Sequence, residues 1–146
     1  MNKNRLELLR DEKELKAKDI ANYLKVGESS YSEWENNKSP IPTKRIIELA
    51  NFYEVNIDYM LKLSNSKYKI DKINNINLIL IGTRLKNIRK ELGLTLRDLG
   101  NKLNCSYSAI GSYERGERLI NCEILISFAK YSKHSIDYIL GRTNNK

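Results

Sequence analysis

Residues 95–116 read TLRDLGNKLNCSYSAIGSYERG. Thr95 stands three positions before Asp98, the spacing of a capping box that opens a helix. Leu99 and Leu103 follow on one face of that helix. Asn104 comes next, a residue that tolerates the left-handed backbone of a tight turn. Ser106 is a second cap, starting a helix that runs to about Arg115, where Gly116 ends it. The stretch therefore predicts two short helices joined by a tight turn.

Working outward, Leu85, Ile88 and Leu92 fall at i, i+3 and i+7 and mark a helix before Thr95. After Gly116, Asn121 caps a helix with Leu125, Phe128 and Ala129 inward. Ser135 caps a last short helix carrying Ile136, Ile139 and Leu140. The same five-helix pattern occurs earlier in the chain. At an offset of 79 positions, residues 5–63 align with 84–142 without a gap. Arg5/Arg84, Arg10/Arg89, Asp19/Asp98, Glu35/Glu114 and Ala50/Ala129 are identical pairs. So are Ile57-Asp58-Tyr59 and Ile136-Asp137-Tyr138. The first copy predicts helices near 4–13, 17–25, 28–37, 42–54 and 56–62, with Pro42 at a helix amino terminus that tolerates it. Stacked arrays need about three units or more, so two autonomous domains fit better than a solenoid. The expected division is 1–63, a linker at 64–82, and 83–146. The apolar end of that linker, Ile76–Ile81, is expected to pack on a domain or between the two.

The 146 residues suffice for two small domains. Only two prolines and seven glycines, with apolar residues at helical spacing, argue for an all-α chain. The net charge of +8 favours a polyanionic partner, nucleic acid first. Cys105 and Cys122 have no cysteine or histidine at metal-ligand spacing and are read as reduced structural thiols. The start, Met1-Asn2-Lys3-Asn4-Arg5, runs into charge, so no signal peptide is expected. The Ile76–Ile81 run is far below the roughly 20 residues of a membrane span. A cytoplasmic protein without membrane contact is expected. The single histidine, His134, lacks a partner, and no phosphate-loop, dinucleotide, zinc-protease or nucleophile-elbow motif occurs. No enzyme activity, cofactor or metal is expected.

The stretch Gly82-Thr83-Arg84-Leu85-Lys86-Asn87-Ile88-Arg89, followed by Leu94-Thr95 and then Tyr113-Glu114-Arg115-Gly116, resembles the Cro and phage-repressor helix-turn-helix family, which includes regulators of the xenobiotic-response-element type. The resemblance covers about 60 residues of each copy and is closer in the second. It implies two tandem five-helix lambda-repressor-like domains. It also implies a third helix lying in the DNA major groove and a second helix crossing the backbone. Structural ion pairs Arg10–Glu35 and Arg89–Glu114, joining helix one to the end of helix three, are implied as well.

Carried onto the second copy, the resemblance places Ser106, Tyr107, Ser108 and Ser112 on the exposed face of the recognition helix. Ser106 and the free amides behind it suit a phosphate. Tyr107 and Ser108 stand nearest the base edges. Arg97, Arg115 and Arg118 are candidate phosphate clamps by their gathering around one helix end. The first copy has Glu28, Ser29 and Glu33 at the positions of Tyr107, Ser108 and Ser112. A carboxylate can accept from cytosine but repels phosphate. Leu96 and Ala17 stand where the family often has a phosphate-binding glutamine, so that contact is missing from both copies. Trp34 and Tyr113 are read as core residues.

The charge is unevenly divided. Residues 1–63 hold 11 basic and 11 acidic side chains, whereas residues 84–146 hold 12 and six. The leading expectation is a sequence-specific regulator of transcription, read as a repressor, that binds double-stranded DNA chiefly through the second domain. Either the two domains form a pseudo-dimer on adjacent half-sites, or the first domain has moved toward protein contact and chains form a homodimer through it. The alternative is a protein-binding module on the same fold, such as an antitoxin or a phage-encoded inhibitor of a host complex.

Overall fold

The computed structural model describes residues 3–146. Met1 and Asn2, at the charged amino terminus, lie outside the described residues. The chain divides into two compact units, Met1–Lys72 and Ile73–Lys146.

The first unit comprises α1 (Leu6–Glu12), α2 (Ala17–Leu24), α3 (Glu28–Glu35), α4 (Thr43–Tyr53) and α5 (Ile57–Met60). The second comprises α6 (Leu78–Glu91), α7 (Leu96–Leu103), α8 (Tyr107–Glu114), α9 (Cys122–Ser132) and α10 (Ile136–Ile139). Among the described residues the only extended pairing is an isolated bridge between Val55 and Lys69. None of the helices is long and apolar enough to cross a membrane.

Local sequence explains most helix starts. The Thr95 hydroxyl accepts from the Asp98 N–H at 3.0 Å, and the Asp98 carboxylate accepts from the Thr95 N–H at 3.0 Å. Ser106, Asn121 and Ser135 each accept from the backbone N–H three residues on. In the first unit Lys16 replaces the threonine, and only half of the box survives. Asp19 accepts from the Lys16 N–H at 2.8 Å, and no side chain answers it.

The repeat extends to backbone conformation. Left-handed residues pair at the same offset: Glu14 with Gly93, Lys25 with Asn104, Asn37 with Gly116, Glu54 with Lys133 and Lys62 with Gly141. Every turn of one unit thus recurs in the other. The second unit fills three of the five positions with glycine, whereas the first forces ordinary side chains into a region that disfavours them.

Each unit closes around its own apolar core. Leu6, Ile20, Tyr31, Ile46, Leu49, Ile57 and Met60 are fully buried in the first. Ile81, Leu125, Phe128, Ile136 and Ile139 hold the centre of the second. Burying each such side chain contributes roughly 1.5–3 kcal/mol. In the second unit α8 packs on both α6 and α7, so the position of α8 is set from two sides.

The division at Lys72 falls within the stretch 64–82 expected to join the domains, but little of that stretch is left over as a connection. Asn56 donates to the Ser66 carbonyl at 2.9 Å and accepts from the Tyr68 N–H at 3.0 Å, and Ile70 is buried. These contacts fold 64–70 back onto the first unit. At the other end, Asn77 caps α6 by accepting from the Leu80 N–H at 3.0 Å. The apolar residues Leu78–Ile81, expected to end the linker, instead form the first turn of a 14-residue helix. Gly82 lets this longer helix fit. A Cβ there would sit 2.3 Å from the Glu114 carbonyl oxygen and 2.7 Å from that of Tyr113, so α6 reaches the end of α8 only because the side chain is missing.

Candidate nucleic-acid interface

The turn between α7 and α8 presents the candidate residues. Asn104 takes φ 55°, which reverses the chain after α7. Ser106 then caps α8, its hydroxyl accepting from the Ala109 N–H at 3.1 Å and lying 3.4 Å from the Ser108 hydroxyl. Ser106, Tyr107 and Ser108 are exposed, and Ser112 is half-buried. On the opposite side of α8, Ile110, Gly111 and Tyr113 face the core. The helix therefore shows its polar amino-terminal half to solvent while its apolar face is held.

The three candidate arginines are all exposed; two lie over tyrosine rings and the third is paired with a carboxylate. Arg97, near the start of α7, lies over the Tyr107 ring at 5.0 Å. Arg118 lies over the Tyr113 ring at 5.1 Å. Arg115 forms a two-armed bond with Glu117, at 2.8 and 3.2 Å. The bond to Arg115 holds the Glu117 carboxyl below its ordinary range. A surface pair of this kind is readily exchanged for another anion. The Asp98 carboxyl is likewise lowered, by the Thr95 backbone N–H.

In the first unit, α2 and α3 repeat the geometry with other chemistry. Lys25 takes the left-handed position, and Gly27 precedes α3 without a side-chain cap. Glu28, Ser29 and Glu33 are all exposed. Lys18 and Glu28 occupy the places of Arg97 and Tyr107, so no ring is available for a guanidinium to cover.

The two ion pairs make the same bonds at similar distances. Arg10 Nε donates to Glu35 Oε2 at 2.8 Å and Nη2 to Oε1 at 3.1 Å. Arg89 Nε donates to Glu114 Oε2 at 2.6 Å and Nη2 to Oε1 at 3.0 Å. Each arginine also donates to the carbonyl five residues later, Leu15 or Leu94. The bond to glutamate raises both guanidinium pKa values. These side chains are largely buried, with Glu114 at 5% exposure and Arg89 at 10%. They join the first helix of each unit to the end of its third, the helix carrying the candidate face.

A second duplicated device went unassigned in the sequence. Arg5 stacks on Tyr59 at 4.1 Å and donates to the Tyr59 and Ser64 carbonyls at 2.6 and 2.8 Å. Arg84 stacks on Tyr138 at 4.1 Å and donates to the Tyr138 and Thr143 carbonyls. Each also reaches an asparagine, Asn65 or Asn144. The joint recurrence of Arg5/Arg84, Tyr59/Tyr138 and Asn65/Asn144 was the available signal. It carries the register two residues beyond the 63/142 pair. The second unit adds a fully buried pair, Asp137–Arg142, where the first has Asp58 and Leu63.

Among the described residues no cluster of histidine, cysteine, aspartate and glutamate is placed to hold a metal ion. Cys122 is buried and Cys105 half-buried, and burial pushes the Cys105 thiol pKa up.

Residues 4–66 match one family pattern, described as a helix-turn-helix domain, and residues 85–139 match another, described as helix-turn-helix. Both units belong to the helix-turn-helix family. They are of the Cro and phage-repressor type, each with five helices. Among curated relatives, the chain is 32% identical over 62 residues to the HTH-type transcriptional regulator ImmR of Bacillus subtilis, covering 42% of this chain and 49% of that protein. It is 34% identical over 62 residues to the uncharacterized HTH-type transcriptional regulator YobD of the same organism, covering 42% and 55%. The chain thus spans about half the length of these relatives. Among solved structures, the P22 c2 repressor in complex with a synthetic operator is 34% identical, with 44% of this chain and 97% of that one covered and a TM-score of 0.42.

Proposed function

We propose that the chain is a cytoplasmic regulator of transcription, acting as a repressor, that binds double-stranded DNA in a sequence-specific manner, with its second unit dominant. The observation that carries this reading is the exposed amino-terminal half of α8. There Ser106, Tyr107 and Ser108 stand clear of the core beside Arg97. They belong to the stretch that holds the chain's excess of basic residues.

In this reading Tyr107, Ser108 and Ser112 face base edges in the major groove, and Ser106 meets a phosphate at the helix amino terminus. Arg97, Arg115 and Arg118 neutralise backbone phosphates, Arg115 by exchanging Glu117 for DNA. The first unit offers Glu28, Ser29 and Glu33 on the equivalent face. That face suits a protein partner better than phosphate, and we assign it to homodimer contact.

Binding to a short duplex across a salt series tests the assignment. Arg115→Ala with Arg118→Ala should weaken binding to all sequences and flatten the salt slope by roughly one unit each. Loss of specific binding in Glu28→Ala with Glu33→Ala, beside no effect of the arginine changes, would move the site to the first unit. Sequence-independent binding in the micromolar range or weaker at ~0.15 M salt would favour a protein-binding module instead.

A further inference from the structure

Arg97 and Arg118 each lie over a tyrosine ring, but the ring under Arg97 is exposed, whereas Tyr113 is buried. Arg115 is paired with Glu117, and Arg89 is committed to Glu114. Among the described residues Arg97 has no hydrogen bond or ion pair, and its one contact of note is the Tyr107 ring. Tyr107 is the first residue of α8, held by the Ser106 cap, and is 52% exposed. The guanidinium lies over the ring, and about half of the residue stays open to solvent. A tyrosine at a helix start otherwise samples several rotamers, and a cation held over the ring narrows that choice.

Base edges in the major groove are mostly donors and acceptors. The C5-methyl of thymine is the apolar exception. The Tyr107 hydroxyl both donates and accepts, as do those of Ser106 and Ser108, so these three discriminate weakly. The apolar ring surface is what sets Tyr107 apart from its neighbours.

Resting on the DNA-binding reading above, we propose that Arg97 is a positioning residue for Tyr107: it holds the ring so that the uncovered surface receives the methyl group of one thymine. Arg97 then contributes to specificity through the ring as well as to affinity through its charge. The first unit, with Lys18 and Glu28 in these places, cannot build the same pocket. The thymine requirement therefore belongs to the second unit alone.

The experiment uses the full chain. Duplexes are selected from a random pool, and each thymine of the selected sequence is replaced in turn by deoxyuridine, which lacks only the methyl. One position should lose about fourfold in affinity, the worth of one buried methyl. Tyr107→Ala and Arg97→Ala should both abolish that difference. Arg97→Lys keeps the charge and so the salt slope, and it should also lose the thymine preference, because an ammonium does not stack as a guanidinium does. Circular dichroism checks that these surface variants fold. No deoxyuridine effect at any position overturns the proposal, as does a thymine preference that survives in Arg97→Ala or is kept in Arg97→Lys. Failure to select any sequence overturns the DNA-binding reading itself, and that result is distinct from a selected site indifferent to the methyl.

Discussion

Arg89 and Glu114 are each costly to strand. Their side chains are 10% and 5% exposed and satisfy one another through two bonds. Arg89→Ala leaves a buried carboxylate without its counter-charge and is expected to cost about 3–5 kcal/mol. Replacing both, as Arg89→Met with Glu114→Leu, removes the desolvation cost together with the attraction and is expected to be far milder. Urea titration of the single and double variants measures the difference. A double variant no more stable than the single one would show that the pair contributes more than mutual neutralisation. The pair was legible in the sequence because both members recur at one offset and the family resemblance supplied the partner. The Arg5 and Arg84 clamps recur just as faithfully. Most of their acceptors are backbone carbonyls, which no residue identity advertises, and only the Asn65/Asn144 pair carries a side-chain signal.

At the scale of helices, what was legible is what is local. A cap needs a side chain and an N–H three residues apart, and the caps at Thr95, Ser106, Asn121 and Ser135 all form as that spacing requires. The start of α6 has such a cap in Asn77, and its first turns also lie against the far end of α8 at Gly82. Gly82→Ala tests that contact. The added Cβ meets backbone oxygens that cannot swing aside, so the change is expected to cost about 1–3 kcal/mol and lower the melting temperature of the chain by several degrees. Gly111→Ala is the control within α8. Its Cβ meets the far end of the Arg115 side chain, which can move, so thermal melting should change little. An unchanged or raised melting temperature in Gly82→Ala would mean that the gain in helix propensity, rather than close approach, governs position 82.

For the whole molecule the decisive feature is unequal duplication. The two units share helix order, left-handed turns and ion pairs, yet the basic excess sits in one and the exposed carboxylates of the third helix in the other. If the first unit serves homodimer contact, two 17.0 kDa chains should assemble on an operator. Light scattering of the free chain and of its complex with a short duplex should then report the mass of two chains in the complex. A single chain in both states would leave the pseudo-dimer, with half-sites about one helical turn apart, as the working arrangement.

The amino-acid sequence by itself determined the five-helix pattern, its repetition at an offset of 79, the capped helix starts and the location of the basic charge. Each of these rests on neighbours within a few positions or on comparing the chain with itself. Tertiary structure alone decided that α6 lies against the end of α8 at Gly82, how Arg5 and Arg84 tie each unit to its own carboxy-terminal segment, and that Arg97 rests on Tyr107. Those contacts join residues as many as 60 positions apart, as Arg84 and Asn144 are. They exist only once hydrophobic burial has placed the helices, because no local preference of either residue selects the other.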